Sequence, residues 1–247
     1  MSYNPYSLNG KTILITGASS GIGRATAIEC SKLGAKVVIT GRNVERLQET
    51  FDMLEGSGHL QIAADITNQT EIDSLVMAIP PLDGFVSNAG ITKEAPIAFY
   101  KQENMEEIFR INVFAPMLLM KTLLRKKKLQ KNSSVVFTSS IASYGCSYGN
   151  GIYGASKAAI ARYMHYCVKE LSPKNIRVNS VHPGMIETPL IHSGGFSEID
   201  LQNDKRNYYD DRYGLPEEVA WAIIYLLSDA AAWITGTELK IDGGRIN

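Results

Sequence analysis

The strongest constraint on what this chain can fold into is an alternation. Short runs rich in β-branched and aliphatic residues recur: TILIT from Thr12, KVVIT from Lys36, LQIAA from Leu60, GFVS from Gly84, SVVFTS from Ser134, IRVNSV from Ile176 and TELKI from Thr237. Longer stretches with helical periodicity lie between them, at 21–33, 44–54, 68–78, 103–127, 153–171 and 216–228. The short runs are apolar throughout, not alternating in polarity, as befits strands buried on both faces. Repeated strand–helix–strand units predict a parallel sheet with right-handed crossovers and helices on both faces, an α/β fold of about seven strands. With 247 residues and no internal linker, repeat or low-complexity tract, one domain over 1–247 is expected. The segment 186–213 breaks the alternation and has no clear period, so it is expected to be a lid or substrate-binding loop.

Charge narrows the choice of partners. Lys+Arg and Asp+Glu are balanced at 25 each, so no global field favours nucleic acid or an anionic membrane. The one basic run, RKKK from Arg125, reads as a solvated helix C-terminus, where cations meet the negative end of the dipole. It lacks the interleaved aromatics of a nucleic-acid surface. The most apolar stretch, NVFAPMLLMKTLL, is too short to span a bilayer and contains Pro116 and Lys121. The N-terminal MSYNPYSLNGK has no basic-then-apolar signal pattern, and a soluble cytoplasmic protein is the expectation. Cys30, Cys146 and Cys167 are odd in number and show no C-x-x-C spacing, so neither a disulfide framework nor a metal site is expected.

Two stretches carry chemistry. The first strand runs directly into TGASSGIGRA, with Gly17, Gly21 and Gly23 ahead of a helix. Glycines permit a tight strand-to-helix turn and close backbone approach to a pyrophosphate, and the helix N-terminus offers N–H groups to the anion. In IYGASKAAIARY, Tyr153 stands four residues ahead of Lys157, so phenol and ammonium share a helix face. A free phenol titrates near pH 10, and one ammonium at about 4 Å supplies roughly 4 kcal/mol at an effective dielectric near 20, enough to bring it close to neutrality. Lys157 is therefore expected to lower the pKa of Tyr153.

With these residues goes a series of motifs in order: NAG at 88–90, Asn112 in the long central helix, Ser140 closing the fifth strand, Tyr153 and Lys157, HPGMIETP at 182–189 and ITGTELKIDGG at 234–244. Together they resemble the short-chain dehydrogenase/reductase family, in its branch of roughly 250-residue single-domain members, over almost the whole chain. The resemblance implies a Rossmann-type doubly wound sheet and an oxidoreductase that interconverts a ketone and a secondary alcohol. It also implies a catalytic set of Asn112, Ser140, Tyr153 and Lys157. Ser140 would polarise the substrate oxygen, Lys157 would also bond the nicotinamide ribose, and Asn112, helped by a local break in its helix, would hold a water in a proton relay. Cofactor contacts are implied for Gly17, Ser19, Ser20, Gly21, Ile22, Gly23, Asp65, Ile66, Asn88, Ala89, Gly90, Pro183, Gly184, Ile186 and Thr188, with Tyr153 and Lys157.

Specificity is read from single positions. Where a member selecting NAD would carry an acid near Gly41, this chain has Arg42 following, and a guanidinium can pair with a 2′-phosphate. The expected cofactor is NADP(H), although Ser20 stands where NADP-preferring members often carry a second basic residue. Tyr144, Cys146, Tyr148 and Asn150 are expected to wall the substrate pocket with Ser140 and Tyr153. The resemblance implies a small carbonyl or alcohol compound as the substrate. The 3-oxoacyl-(acyl-carrier-protein) reductases are the relatives most similar in motif placement; a carrier-protein thioester is thus one candidate, with Lys131 and Lys174 as docking charge beside the site entrance. A catalytically silent NADP-binding sensor is the rival class, and a homotetramer or dimer is the assembly the resemblance implies.

Overall fold

The computed structural model describes residues 3–192 and 198–245. Seven strands, β1 (Thr12–Thr16), β2 (Lys36–Gly41), β3 (Leu60–Ala63), β4 (Leu82–Ser87), β5 (Leu129–Thr138), β6 (Arg177–Pro183) and β7 (Glu238–Ile241), form one sheet in the order β3-β2-β1-β4-β5-β6-β7, with every pairing parallel. This is the Rossmann-type doubly wound sheet. Strand order reverses between β1 and β4, so the connecting loops leave in opposite directions there and open a crevice at the carboxyl ends.

Alternate residues of the buried strands feed two cores. On one face, Leu14, Phe85, Val135, Phe137 and Val178 pack against α3 (Gln69–Ala78), α5 (Ala115–Arg125) and α6 (Gly151–Leu171), through Leu75, Leu119, Leu123, Ile160 and Met164. On the other face, Ile13, Ile15, Val37, Ile39, Val86 and Val136 meet α1 (Gly21–Lys32), α2 (Val44–Asp52) and α9 (Pro216–Leu227), through Ala27, Cys30, Leu47, Ile223 and Leu227. Two-residue alternation with both faces buried explains why these runs read as uninterruptedly apolar.

Local signals set the helix ends. The Asn43 and Asn68 side chains cap α2 and α3, accepting from Arg46 N–H at 2.8 Å and Thr70 N–H at 2.9 Å. Gly34, at φ +87°, turns the chain out of α1 in a conformation that a side chain would resist. The helix expected over 103–127 is interrupted: α4 (Gln102–Phe109) and α5 are joined by a π-helical stretch, Arg110–Phe114, which holds the buried Asn112. Such insertions redirect one side chain without ending the helix, and here it is the expected break at Asn112.

The aperiodic segment is partly helical, with α7 (Pro189–His192) and α8 (Glu198–Lys205). No long period can arise, because each helix is short. Its base is pinned: Glu187 N–H donates to Gly214 O at 2.9 Å and Gly214 N–H to Met185 O at 3.0 Å. Arg212 then grips α9, donating to both carboxylate oxygens of Glu218 at 2.9 and 2.7 Å, while Glu218 also accepts from Leu215 N–H at 2.7 Å. Among the described residues, no helix is long and apolar enough to cross a membrane.

The Arg212 hydrogen bonds and the Leu215 amide hold the Glu218 carboxyl down at about 2, from an ordinary 4.5. A depressed carboxyl stabilises the fold fully above its unfolded pKa and loses that contribution as pH falls through the folded value. Thermal unfolding of the wild type and Glu218→Gln between pH 5 and 2 is expected to show a destabilised variant at pH 5 and a gap that closes toward pH 2.

Candidate active site

The site grows from the strand reversal. At the end of β1, Thr16 Oγ1 accepts from the backbone N–H groups of Asn88 (3.0 Å) and Ala89 (3.2 Å), just past β4. Asn88 Nδ2 returns the bond to Thr16 O at 3.3 Å. The two strands whose connections diverge are thereby tied together at their ends. The glycine turn begins there: Gly17 has φ +66°, and a Cβ on it would lie 2.8 Å from Ala89 Cα. Gly23, inside α1, packs so closely that its Cβ would fall 2.3 Å from Gly17 O. Ser20 precedes α1 without a side-chain capping bond, so the first-turn N–H groups are not covered by it. Arg24 braces the turn from behind, its guanidinium donating to Ser19 O (2.8 Å), Thr50 Oγ1 (2.9 Å) and Glu49 (2.8 Å).

A cavity of about 980 Å³ runs from this turn along the carboxyl edge of the sheet. Of the residues expected to hold a dinucleotide, Gly17, Ser19, Ser20, Gly21, Ile22, Arg42, Asp65, Ile66, Asn88, Ala89, Gly90, Tyr153, Lys157, Pro183, Gly184, Ile186 and Thr188 line it, and so do Ser140, Tyr144, Cys146, Tyr148 and Asn150. Gly23 and Asn112 do not; they lie behind its wall. At the far end Arg42 is exposed and makes no ion pair among the described residues. Asp65 is committed to its own turn, accepting from Thr67 N–H (2.9 Å) and Oγ1 (2.8 Å); burial raises its carboxyl, but those bonds and the charges of Arg42 and Arg110 bring it below its ordinary value.

Lys157 is buried, and its ammonium donates to Thr138 O, at the end of β5, at 2.8 Å. It lies 5.6 Å from the centre of the Tyr153 ring. Asn112 presents its amide to the loop after β4, accepting from Ile91 N–H at 2.9 Å and donating to Ile91 O at 2.9 Å and Ser156 Oγ at 3.0 Å. Gly90 keeps the space between them clear: its Cβ would lie 3.2 Å from Asn112 Oδ1 and 3.3 Å from Lys157 Nζ. Ser140 ends β5's extension, caps the short turn Ile141–Ser143 and accepts from Ala142 N–H at 3.2 Å.

Two expectations need correction. Burial pushes the Tyr153 phenol up to about 12, and the one opposing influence is the Ser140 hydroxyl, not Lys157. The lysine spends an N–H on the Thr138 carbonyl and is itself lowered to about 8 by burial. Shared helix face did bring the two groups together, but desolvation outweighs their attraction. Secondly, Lys131 lies near the start of β5 and Lys174 just before β6, where Asn132 N–H bonds Asn175 O at 2.9 Å. That is the amino edge of a parallel sheet, the opposite side from the cavity, so neither lysine flanks the entrance.

Part of the far wall was missed by sequence reasoning: Glu94, Met185, Lys240, Asp242 and Arg245 also line the cavity, beside Asp204 and Tyr213 of the segment expected to be a substrate-binding loop. Burial raises the Glu94 carboxyl, and Arg245 pairs with Asp204 at 3.3 Å. These residues come from the loop after β4, the turn after β6, the aperiodic segment and the end of β7. The available signal was ITGTELKIDGG, whose place in the motif series puts it at a strand end beside the site.

With that geometry in hand, comparison with known proteins is direct. A family model described as enoyl-(acyl carrier protein) reductase matches residues 17–245. The 3-oxoacyl-(acyl-carrier-protein) reductase FabG of Rickettsia felis is 33% identical over 239 residues, covering 97% of this chain and 98% of that protein. A short-chain type dehydrogenase/reductase from Mycobacterium marinum superposes with TM-score 0.88 at 30% identity, covering 97% of each chain. A 7α-hydroxysteroid dehydrogenase complexed with NADH and 7-oxo glycochenodeoxycholic acid reaches TM-score 0.90 at 27% identity, covering 99% of this chain and 98% of the other. The chain belongs to the short-chain dehydrogenase/reductase family. It is an oxidoreductase acting on CH–OH and C=O groups.

Gly23 offers a test of the turn with a clear sign. In an open helix Gly→Ala gains about 1 kcal/mol from propensity. Here the new methyl would strike the Gly17 carbonyl, so Gly23→Ala is expected to lose about 1–3 kcal/mol in urea unfolding, as overpacking does.

Proposed function

We propose that this oxidoreductase uses NADP(H) to interconvert a ketone and a secondary alcohol, with Tyr153 as the group that transfers the proton. The observation that carries the reading is the convergence of Ser140, Tyr153 and Lys157 on one cavity whose other end is the glycine turn. A dinucleotide fits that end: the turn is bare of side chains where Gly17 and Gly21 stand, α1 points its N-terminus there, and Arg42 presents an exposed guanidinium beyond β2. When bound, the nicotinamide supplies or accepts the hydride.

The chain's own residues handle the oxygen. In the reducing direction the substrate carbonyl oxygen accepts hydrogen bonds from the Ser140 hydroxyl and the Tyr153 phenol. As carbon gains hydride, the phenolic proton moves to that oxygen and leaves a phenolate. A buried phenolate is costly, and the nearby Lys157 ammonium favours it. Lys157, at about 8, is charged at neutral pH yet close enough to neutrality to pass a proton on. Asn112 serves as the relay behind Lys157, a role supported by its hold on the Ile91 backbone and its reach to Ser156, whose Oγ donates to Tyr153 O at 2.7 Å. Ile186, Thr188, Leu201 and Tyr213, which line the cavity, support a substrate wall built from the segment 186–213.

Within this reading a 3-oxoacyl thioester is the substrate favoured by the Rickettsia felis relative, and a steroid ketone by the hydroxysteroid dehydrogenase. Rates with NADPH on an acetoacetyl pantetheine thioester, a keto sugar and a 7-oxo steroid decide between them; inertness toward the thioester removes the fatty-acid assignment. The family assembly as a tetramer is proposed too, supported by the exposed Met105, Phe114 and Tyr166 on α4, the π-helical stretch and α6.

Tyr153→Phe is expected to lower kcat by at least about a thousandfold while the NADPH dissociation constant, read by nucleotide fluorescence, stays within threefold. Substantial residual turnover removes Tyr153 from its role. NADPH is expected to be preferred over NADH in kcat/KM, and Arg42→Ala to erase most of that preference; equal efficiencies in the wild type refute the Arg42 argument.

A further inference from the structure

Beneath Ser140 lies a buried imidazole that the mechanism above does not use. His182 is fully buried near the end of β6. Its Nδ1 is 3.2 Å from Ser140 O and 3.1 Å from Ser143 Oγ, and Ser143 Oγ itself donates to Ser140 O at 2.6 Å. Its Nε2 is 2.8 Å from Ser180 Oγ. The Ser140 carbonyl can only accept, so Nδ1 carries the proton and Nε2 is left to accept from the Ser180 hydroxyl. Burial lowers the His182 pKa further from its ordinary 6.5, against the pull of Glu238, which agrees with a neutral ring.

The surroundings lock that ring in place. Parallel register sets Ser180 beside Glu238 and His182 beside Lys240, so all four side chains share one face of the sheet. Glu238 stands 3.8 Å from His182 Nε2, but its oxygens are engaged by Tyr144 (2.7 Å) and His165 (2.7 Å). Tyr144, a wall of the cavity, stacks on the imidazole with ring centres 4.8 Å apart at 21°, and Lys240 Nζ lies 4.7 Å from the centre of the same ring. One imidazole therefore underlies both the hydroxyl that faces Tyr153 and an aromatic wall of the substrate pocket.

We infer that His182 is a positioning residue for the reaction: its Nδ1–H, together with the Ser143 hydroxyl, holds the Ser140 carbonyl and so fixes the backbone that presents the Ser140 hydroxyl to Tyr153. A histidine placed only to fill the core would need volume, not a donor at Nδ1. The inference rests on Ser140 and Tyr153 acting as proposed above.

Two variants separate donor from volume. His182→Leu keeps bulk without a donor, and His182→Asn places an amide N–H close to the Nδ1 position. With NADPH and whichever of the thioester, sugar and steroid ketones the wild type reduces fastest, His182→Leu is expected to lower kcat about tenfold with NADPH affinity unchanged within twofold. His182→Asn is expected to keep kcat within threefold of wild type. Equal losses in both, or no loss in His182→Leu, overturn the inference. If His182→Leu does not fold, Ser143→Ala decides: a three- to tenfold lower kcat supports the brace and an unchanged kcat overturns it. A third arm needs no substrate: ¹⁵N NMR of the histidines at pH 7 is expected to show His182 as the neutral Nδ1–H tautomer, and an Nε2–H tautomer or an imidazolium overturns the inference. Tyr153→Phe keeps the two readings apart. If that variant remains active the catalytic assignment falls, whereas its inactivity beside fully active His182 variants sinks the brace alone.

Discussion

The tie between β1 and β4 is the constraint from which the rest of the molecule follows. Strand order reverses at that pair, and the loops that leave it part company, so nothing in the sheet ladder itself closes the gap above the strand ends. The Thr16 hydroxyl and Asn88 amide close it from below with hydrogen bonds of 3.0–3.3 Å, leaving a crevice with a rigid floor. The glycine turn can then rise from that floor with no side chain in the way, since Gly17 is already in van der Waals collision range of Ala89 for any Cβ. The cavity-lining residues are hung from this edge.

The electrostatics at the other end of the cavity show how a site differs from a set of residues at suitable spacing. Tyr153 and Lys157 each occupy a position that burial makes uncomfortable: the phenol resists ionising and the ammonium resists staying charged. Burial favours the neutral form of each, and a specific partner opposes it, Ser140 for the phenol and the Thr138 carbonyl for the ammonium. Around them the polar shell is built from backbone: Ile91 for Asn112, Thr138 for Lys157, Ser140's own carbonyl for His182.

Much of this was legible before any coordinates. The alternation of apolar runs and helical periods located all seven strands to within a few residues, with β5 beginning earlier than the run SVVFTS indicated. The glycine turn, Asn88, Ser140, Tyr153 and Lys157 were all singled out in the sequence, because their residue types serve local geometry that leaves a mark in the chain, and the fold brings them to one cavity. The interruption at Asn112 was expected from family resemblance, since a π-helical insertion has no periodicity signature over five residues. The aperiodic segment hid two short helices, and Lys131 and Lys174 were assigned to the wrong edge because their charge was weighed without regard to their place ahead of the strands, which in a parallel sheet is the amino edge.

The amino-acid sequence by itself determined the architecture, the family and the identity of the groups that can do chemistry, since these depend on short-range periodicity and on a handful of residues whose spacing is set by single turns. Only the tertiary structure decided what those groups are worth. The phenol's high pKa, the lysine's bond to Thr138, the charged far wall from β7 and the imidazole under Ser140 all arise from segments tens of residues apart meeting in a low-dielectric interior. Desolvation and hydrogen bonding act through space, and the chain records only the order in which its residues are joined.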